Sequence, residues 1–340
     1  MRAAVFPGVG QKLVIEDRQR PTAGPGELVV KIAYCGICGS DIHGTEPSPF
    51  VLPPGVVLGH EFSGEVVESG SADFQAGDRV IGVPLRECED CRPLGECRDR
   101  LGILCPRGKI VGLAPDVPGG YAEFVKLGAR HALRVPVGVN LRDAALAEPL
   151  AVGAHAVRMA GAILGARVLI IGAGPIGLAV LQFARAAGAG EIIVSEREPE
   201  RRDRAAGLGA NAVLDPTTTM LPATCAATPP DVVFECAGAP GLIRQCMDFV
   251  AVRGRVVVVG VYRHEDPIMP RVGIRKEIRL QFVLGYAAED FRLVLGMLAD
   301  GRVRAAPMIT AVIGLAEVPD VFETLRQPNP HAKVLIDPQR

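Results

Sequence analysis

The sequence predicts an α/β protein in which a doubly wound parallel sheet is inserted into a mainly β part, and three observations carry this. After His155, wholly apolar runs alternate with helix-forming stretches, the texture of a parallel sheet covered on both faces. Before it, Gly and Pro punctuate short β-branched runs such as Leu28-Val29-Val30-Lys31-Ile32 and Gly64-Glu65-Val66-Val67, which fits strands joined by irregular loops. Between an apolar run and a helix-forming stretch stands Gly172-Ala173-Gly174-Pro175-Ile176-Gly177.

In order, Arg167 to Ile171 is a strand and Ile176 to Ala187 a helix that ends near Gly188. Glu191 to Val194 is a second strand, Glu200 to Leu208 a second helix, and Ala212 to Leu214 a short third strand. Asp231 to Phe234 and Arg255 to Val259 repeat the strand pattern, and a helix runs from Phe291 to Ala299. The tail, with the strand-like Lys333-Val334-Leu335-Ile336, holds too little material to stand alone, so it is expected to pack on the first part. The expected division is 1–152 with 288–340 as one domain and 153–287 as the inserted α/β domain.

Composition narrows the function. The chain has 340 residues, enough for two domains of about 100–200 residues each. Hydrophobic residues make up 49%, so a sizeable core is available, and the formal net charge of −1 advertises neither a nucleic-acid face nor an acidic tail. The first residues, Met1 to Gly8, lack the apolar core of a signal peptide, and no run reaches the ~20 apolar residues of a membrane span. A cytoplasmic protein is expected, with no membrane or nucleic-acid partner. In a reducing compartment, clustered cysteines are more often metal ligands or catalytic groups than disulfides.

A glycine-rich turn is often only a turn, but the context of Gly172 to Gly177 is that of a dinucleotide site. Gly172 permits the tight turn, Gly174 lets backbone approach a pyrophosphate, and Gly177 lets the helix close on the strand. Pro175 suits a first helical turn, and Ile176 follows it into the helix. The helix N-terminus then faces the diphosphate. Glu196 ends the next strand, where an acid accepts hydrogen bonds from the adenosine ribose and repels the extra phosphate of NADP. Arg197 and Arg201 could instead pair with that phosphate, or simply form a solvated helix start; NAD is the expected cofactor. A methyltransferase, with a similar turn for another nucleoside, is the rival reading.

Two groups of metal-ligand residues differ in character. Cys88-x2-Cys91-x5-Cys97-x7-Cys105 lies among charged residues, and four thiolates around Zn²⁺ make a closed, structural site. The second group is dispersed: Cys38 within Cys35-Gly36-Ile37-Cys38, then His60-Glu61, then Glu148-Pro149. Cys35 and Cys38 resemble a redox pair in spacing, but no thioredoxin-like context surrounds them. One Cys, one His and one or two Glu are the ligand types of a catalytic zinc with an open position.

These motifs, in this order along essentially the whole chain, resemble the medium-chain zinc-dependent alcohol dehydrogenase family, and within it the sorbitol, butanediol and threonine dehydrogenase branch. The resemblance rests on Tyr34 to Asp41, Gly59 to Gly64, Gly77 to Val80, the four-cysteine loop, Gly119 to Glu123, Glu148 to Leu150 and the glycine string. It implies a Rossmann domain inserted in a GroES-like catalytic domain. It implies that Cys38, His60 and Glu148 hold the catalytic zinc, that Glu61 approaches the metal from behind or transiently, and that Cys35 merely packs. Ser40 and His43 match the family's proton relay. In the cysteine loop the family spacing is x2, x2, x7, and this chain departs from it with x5 in the middle interval.

The activity implied is hydride transfer between a secondary alcohol, diol or polyol and NAD(P), giving the ketone, with two zinc ions per chain. The alternatives are a threonine-type amino-alcohol dehydrogenase and a non-catalytic zinc- and nucleotide-binding protein. The branch is usually tetrameric, so a homotetramer, or a dimer, is expected. Phe50 and Tyr286 are expected to line the substrate pocket.

Overall fold

The computed structural model describes residues 1–47, 51–86, 102–105, 107–219 and 221–340. Six parallel strands form one sheet in the order Ala212–Leu214, Glu191–Ser195, Arg167–Ile171, Val232–Glu235, Arg255–Val258, Arg279–Phe282. This is the doubly wound order with its switch point beside the first strand, Arg167–Ile171. The sheet is covered on both sides: Val168 and Ile170 belong to one apolar cluster, Leu169 and Ile171 to another. Alternation within one strand therefore feeds two cores, which explains why the run is apolar at every position.

The sequence anticipated five of these strands; the sixth, Arg279–Phe282, is half polar and mostly exposed, and so carried no signal. Another unanticipated element is the long helix Ala147–Ala160, whose small side chains pack against Pro175–Ala186 and Ala288–Ala299.

The second large sheet has seven strands and is mixed. Its path runs Ile309–Gly314, Lys333–Asp337, Glu27–Gly36, Glu61–Ser69, Arg79–Gly82, Ala132–Arg134, with Phe124–Gly128 also on Glu27–Gly36. The tail returns as expected: Leu335 pairs with Gly36 and Ile336 with Cys35, antiparallel. That pairing brings Lys333 beside the strand end leading to Cys38. Among the described residues, no helix is long and apolar enough to cross a membrane.

Candidate metal and cofactor site

Cys38 sits where the strand Glu27–Gly36 gives way to the helix Gly39–Gly44, as the helix N-cap. Asp41, at the third helical position, reaches back and accepts from the Cys38 N–H at 3.1 Å. Glu61 opens the neighbouring strand, where it pairs with Gly36, and His60 immediately precedes it. Gly36 is needed there, because a Cβ would fall 2.0 Å from Glu61 Oε2. One donor atom each from Cys38, His60 and Glu61 lies within 4.8 Å of the other two.

The surroundings hold these donors firmly. Ser40 Oγ donates to Cys38 Sγ at 3.2 Å and lies 3.2 Å from His60 Nε2. Asp41 Oδ1 stands 3.4 Å from His60 Nδ1, an ion-pair contact, while Asp41 Oδ2 accepts from the buried Tyr121 hydroxyl at 2.7 Å. Burial alone would lower the His60 pKa. The Asp41 carboxylate and the Cys38 sulfur outweigh it and hold His60 well above its ordinary value. Burial pushes the Cys35 thiol up, which keeps it an inert packing group.

The two glutamates differ. Lys333 Nζ donates to Glu61 Oε1 at 2.7 Å, whereas Glu61 Oε2 is buried without a hydrogen-bond partner. Glu148, in the first turn of Ala147–Ala160, does not lie within the mutual distance that unites the other three donors. It is 8% exposed, and desolvation raises its pKa to about 7 against the pull of His60 and Lys333. Tyr286 is buried beside Glu148, and its ring meets Phe291 edge-on with centroids 4.7 Å apart. A thiol, an imidazole and two carboxylates, one with an unpartnered buried oxygen, are a donor set that fits Zn²⁺. His43, also half-buried, makes no hydrogen bond to Ser40; its Nδ1 has no hydrogen-bond partner. Sequence reasoning missed Asp41 and Lys333 as parts of this site. Asp41 had a signal, an acid three residues after a predicted ligand.

The glycine turn follows the strand Arg167–Ile171 and opens the helix Pro175–Ala186, with Gly174 as N-cap and Pro175 first. Gly172 adopts φ 95°, and a Cβ at Gly177 would lie 1.8 Å from the Gly172 carbonyl. Glu196 closes the crevice on one side. Its Oε2 accepts from the Ala173 N–H at 2.7 Å, and its Oε1 from the Arg197 and Glu198 N–H groups at 2.7 and 3.0 Å. Arg201 turns away, donating to the His331 carbonyl at 3.1 Å, while Arg197 is exposed. Of the four-cysteine loop, Cys88, Cys91 and Cys97 lie outside the described residues, as does Phe50. Cys105 is half-buried and free after the short turn Gly102–Leu104.

A doubly wound sheet with a glycine-turn crevice, joined to a β domain presenting a thiol, imidazole and carboxylate set, defines a zinc-dependent, nicotinamide-linked dehydrogenase. The chain belongs to the medium-chain zinc-dependent alcohol dehydrogenase family. Residues 24–137 match the alcohol dehydrogenase GroES-like domain and residues 175–300 the zinc-binding dehydrogenase domain. It is 31% identical to a (R,R)-butanediol dehydrogenase of Bacillus subtilis (strain 168), over 95% of this chain and 96% of that one. It is 32% identical to a sorbitol dehydrogenase of Ovis aries, over 93% and 90%. A Sinorhizobium meliloti 1021 chain solved bound to NADP superposes with a TM-score of 0.89 at 32% identity, covering 99% of both. The protein is therefore an NAD(P)- and zinc-dependent oxidoreductase acting on CH–OH donors.

Proposed function

We propose that this enzyme oxidises a secondary alcohol, diol or polyol to the ketone with NAD, and runs the reverse reduction. The observation that carries the reading is the convergence of Cys38, His60 and Glu61 at one point, backed by Glu148. The relatives named for butanediol and sorbitol support the substrate class. We assign the 1–152 and 288–340 segments to the catalytic domain and 153–287 to cofactor binding.

Cys38, His60 and Glu148 would hold the catalytic zinc. Zinc lowers the pKa of bound water from about 15.7 to about 7, and a bound alcohol responds similarly. One thiolate, a neutral imidazole and one carboxylate balance its charge; a second permanent carboxylate would weaken the electrophile. The Lys333 contact supports that division of labour, since it neutralises Glu61 and holds one of its oxygens. Asp41 orients the His60 ring. Ser40 holds a hydroxyl proton beside the site, and His43, on the same helix and partly exposed, leads the proton outward. Tyr286, buried beside Glu148, helps to exclude water.

Gly172, Gly174, Pro175, Ile176 and Gly177 would cradle the dinucleotide, and Glu196 favours NAD by its charge. Arg201, occupied by a backbone carbonyl, is poorly placed for a ribose phosphate, which leaves Arg197 as the residue able to admit NADP. A second, structural zinc on Cys88, Cys91, Cys97 and Cys105 completes the complement. A cytoplasmic homotetramer, or a dimer, is the assembly we propose. The edge strand Arg279–Phe282 and the residues just after it, with Phe282 and Leu284 60% and 57% exposed, support contact between copies.

The test is a screen of diols, polyols, hydroxy acids, simple secondary alcohols and L-threonine, with NAD and NADP side by side. Highest turnover on a diol or polyol with NAD is expected. A preference for L-threonine, or no turnover at full zinc content, would overturn the reading.

A further inference from the structure

A second cluster of charged side chains joins the two parts of the molecule away from the metal donors. Glu46 follows the helix Gly39–Gly44, which carries Ser40 and His43. Its Oε2 is ion-paired with Arg263, 217 residues away, and its Oε1 lies 3.4 Å from Arg326. Arg326 is itself fixed, donating to the Ile42 carbonyl at 3.2 Å, to Thr45 Oγ1 at 2.9 Å and to Glu323 at 2.9 Å. His43 Nδ1 stands 3.7 Å from Glu46 Oε2.

Arg263 belongs to the loop that follows Arg255–Val258. That loop starts at the C-terminal edge of the parallel sheet, where dinucleotides bind in this topology. There the Val259 and Gly260 N–H groups donate to the Glu235 carbonyl at 2.8 and 3.0 Å. A Cβ on Gly260 would meet Gly238, and one on Gly172 would meet Ala237, so the three turns form one continuous wall. Arg263 thus rides on the wall of the cofactor crevice, and Glu46 on the segment beside the metal donors.

We propose that Glu46 is a positioning residue for the cofactor: its carboxylate latches the Arg263 loop to the helix of Ser40 and His43 and holds the crevice closed over the dinucleotide. The proposal rests on the dehydrogenase reading above, since it requires a dinucleotide in that crevice. The direction of failure follows from charge. Without Glu46, Arg263 loses its carboxylate and meets Arg326, whose charge Glu323 offsets only in part, so the loop is no longer held and the crevice opens. The Glu46 and Arg263 side chains are 24% and 33% exposed, so solvent screens the pair only in part.

The test measures NADH binding directly, by calorimetry or by the fluorescence of NADH itself, since the chain has no tryptophan. Glu46→Gln should weaken binding about tenfold, within the usual span of coupled sites, and Arg263→Met less, about threefold. Because Arg263→Met removes the repulsion, the double variant should bind no more weakly than Arg263→Met alone, and Arg263→Lys should bind nearly as the wild type. In turnover, Glu46→Gln should raise KM for the cofactor more than it lowers kcat, with an unchanged melting temperature. Equal binding by wild type and Glu46→Gln, or losses that multiply in the double variant, would overturn the latch. If Glu46→Gln does not fold, the Arg263 variants decide: unchanged binding by Arg263→Met refutes the latch. Wild-type protein that binds no NADH would instead refute the reading on which the latch rests.

Discussion

Lys333 Nζ stands 2.7 Å from Glu61 Oε1, with the two side chains 2% and 1% exposed. The same ammonium donates to the Ile37 carbonyl at 2.9 Å, one residue before Cys38. A cation in the last strand therefore fixes both the carboxylate nearest the metal donors and the backbone that presents the thiol. Taking two ions out of water is costly, and each is tolerable only while the other is present.

Lys333→Met should accordingly destabilise the protein by about 3–5 kcal/mol, the usual cost of breaking a buried pair. Denaturant unfolding of the metal-free chain measures it. Adding Glu61→Gln should recover a large part of that loss, because no buried charge then remains unpaired; equal loss in the single and double variants would contradict this.

Two glycines in one turn should respond differently to alanine. A Cβ at Gly177 lies 1.8 Å from a backbone carbonyl, whereas one at Gly174 meets nothing within 4 Å. Gly177→Ala should lower the melting temperature and weaken NADH binding together. Gly174→Ala should melt like the wild type yet lose at least about tenfold in NADH affinity, since it fills the room a pyrophosphate needs. Calorimetry of both variants checks the contrast.

Glu196→Ala should reduce the preference for NAD over NADP by about tenfold, read as the ratio of kcat/KM values. The variant removes the carboxylate that repels a ribose phosphate and frees the Ala173 N–H that it holds at 2.7 Å.

Stability should fall in acid through Asp290, which is 1% exposed. Burial would raise its pKa, but His155, Arg158 and the Ala287 N–H outweigh burial and hold it below the ordinary value. The folded pKa thus lies below the unfolded one, near 3.9. The contribution is complete above that value and is lost as pH falls through the folded pKa. Asp290→Asn should cost about 2 kcal/mol at neutral pH, the worth of charge-assisted bonds, and progressively less in acid. Parallel denaturation curves of the two proteins at neutral pH and in acid, below the folded pKa, test this.

Much of this molecule was legible because its signals are local. The strand, glycine turn and helix at 167–186 follow one another within a few residues, and the periodicity of each is strong. Cys38, His60 and Glu61 were legible as donor types, and resemblance supplied the expectation of a shared site. Lys333 was not legible. It reads as the first residue of an apolar strand, and only pairing across 272 residues sets it beside Glu61. Glu46 and Arg263 were hidden for the same reason, as two ordinary surface charges until the chain folds. The helix Ala147–Ala160 escaped because small residues line its buried faces and blur the 3.6-residue period.

Zinc content and turnover of Cys38→Ser, measured on the same preparation, test the central claim most directly. The account expects this variant to fold, to keep the structural zinc, to lose the catalytic one, and to show no turnover above background. Undiminished alcohol oxidation by a variant that has lost that metal would contradict it.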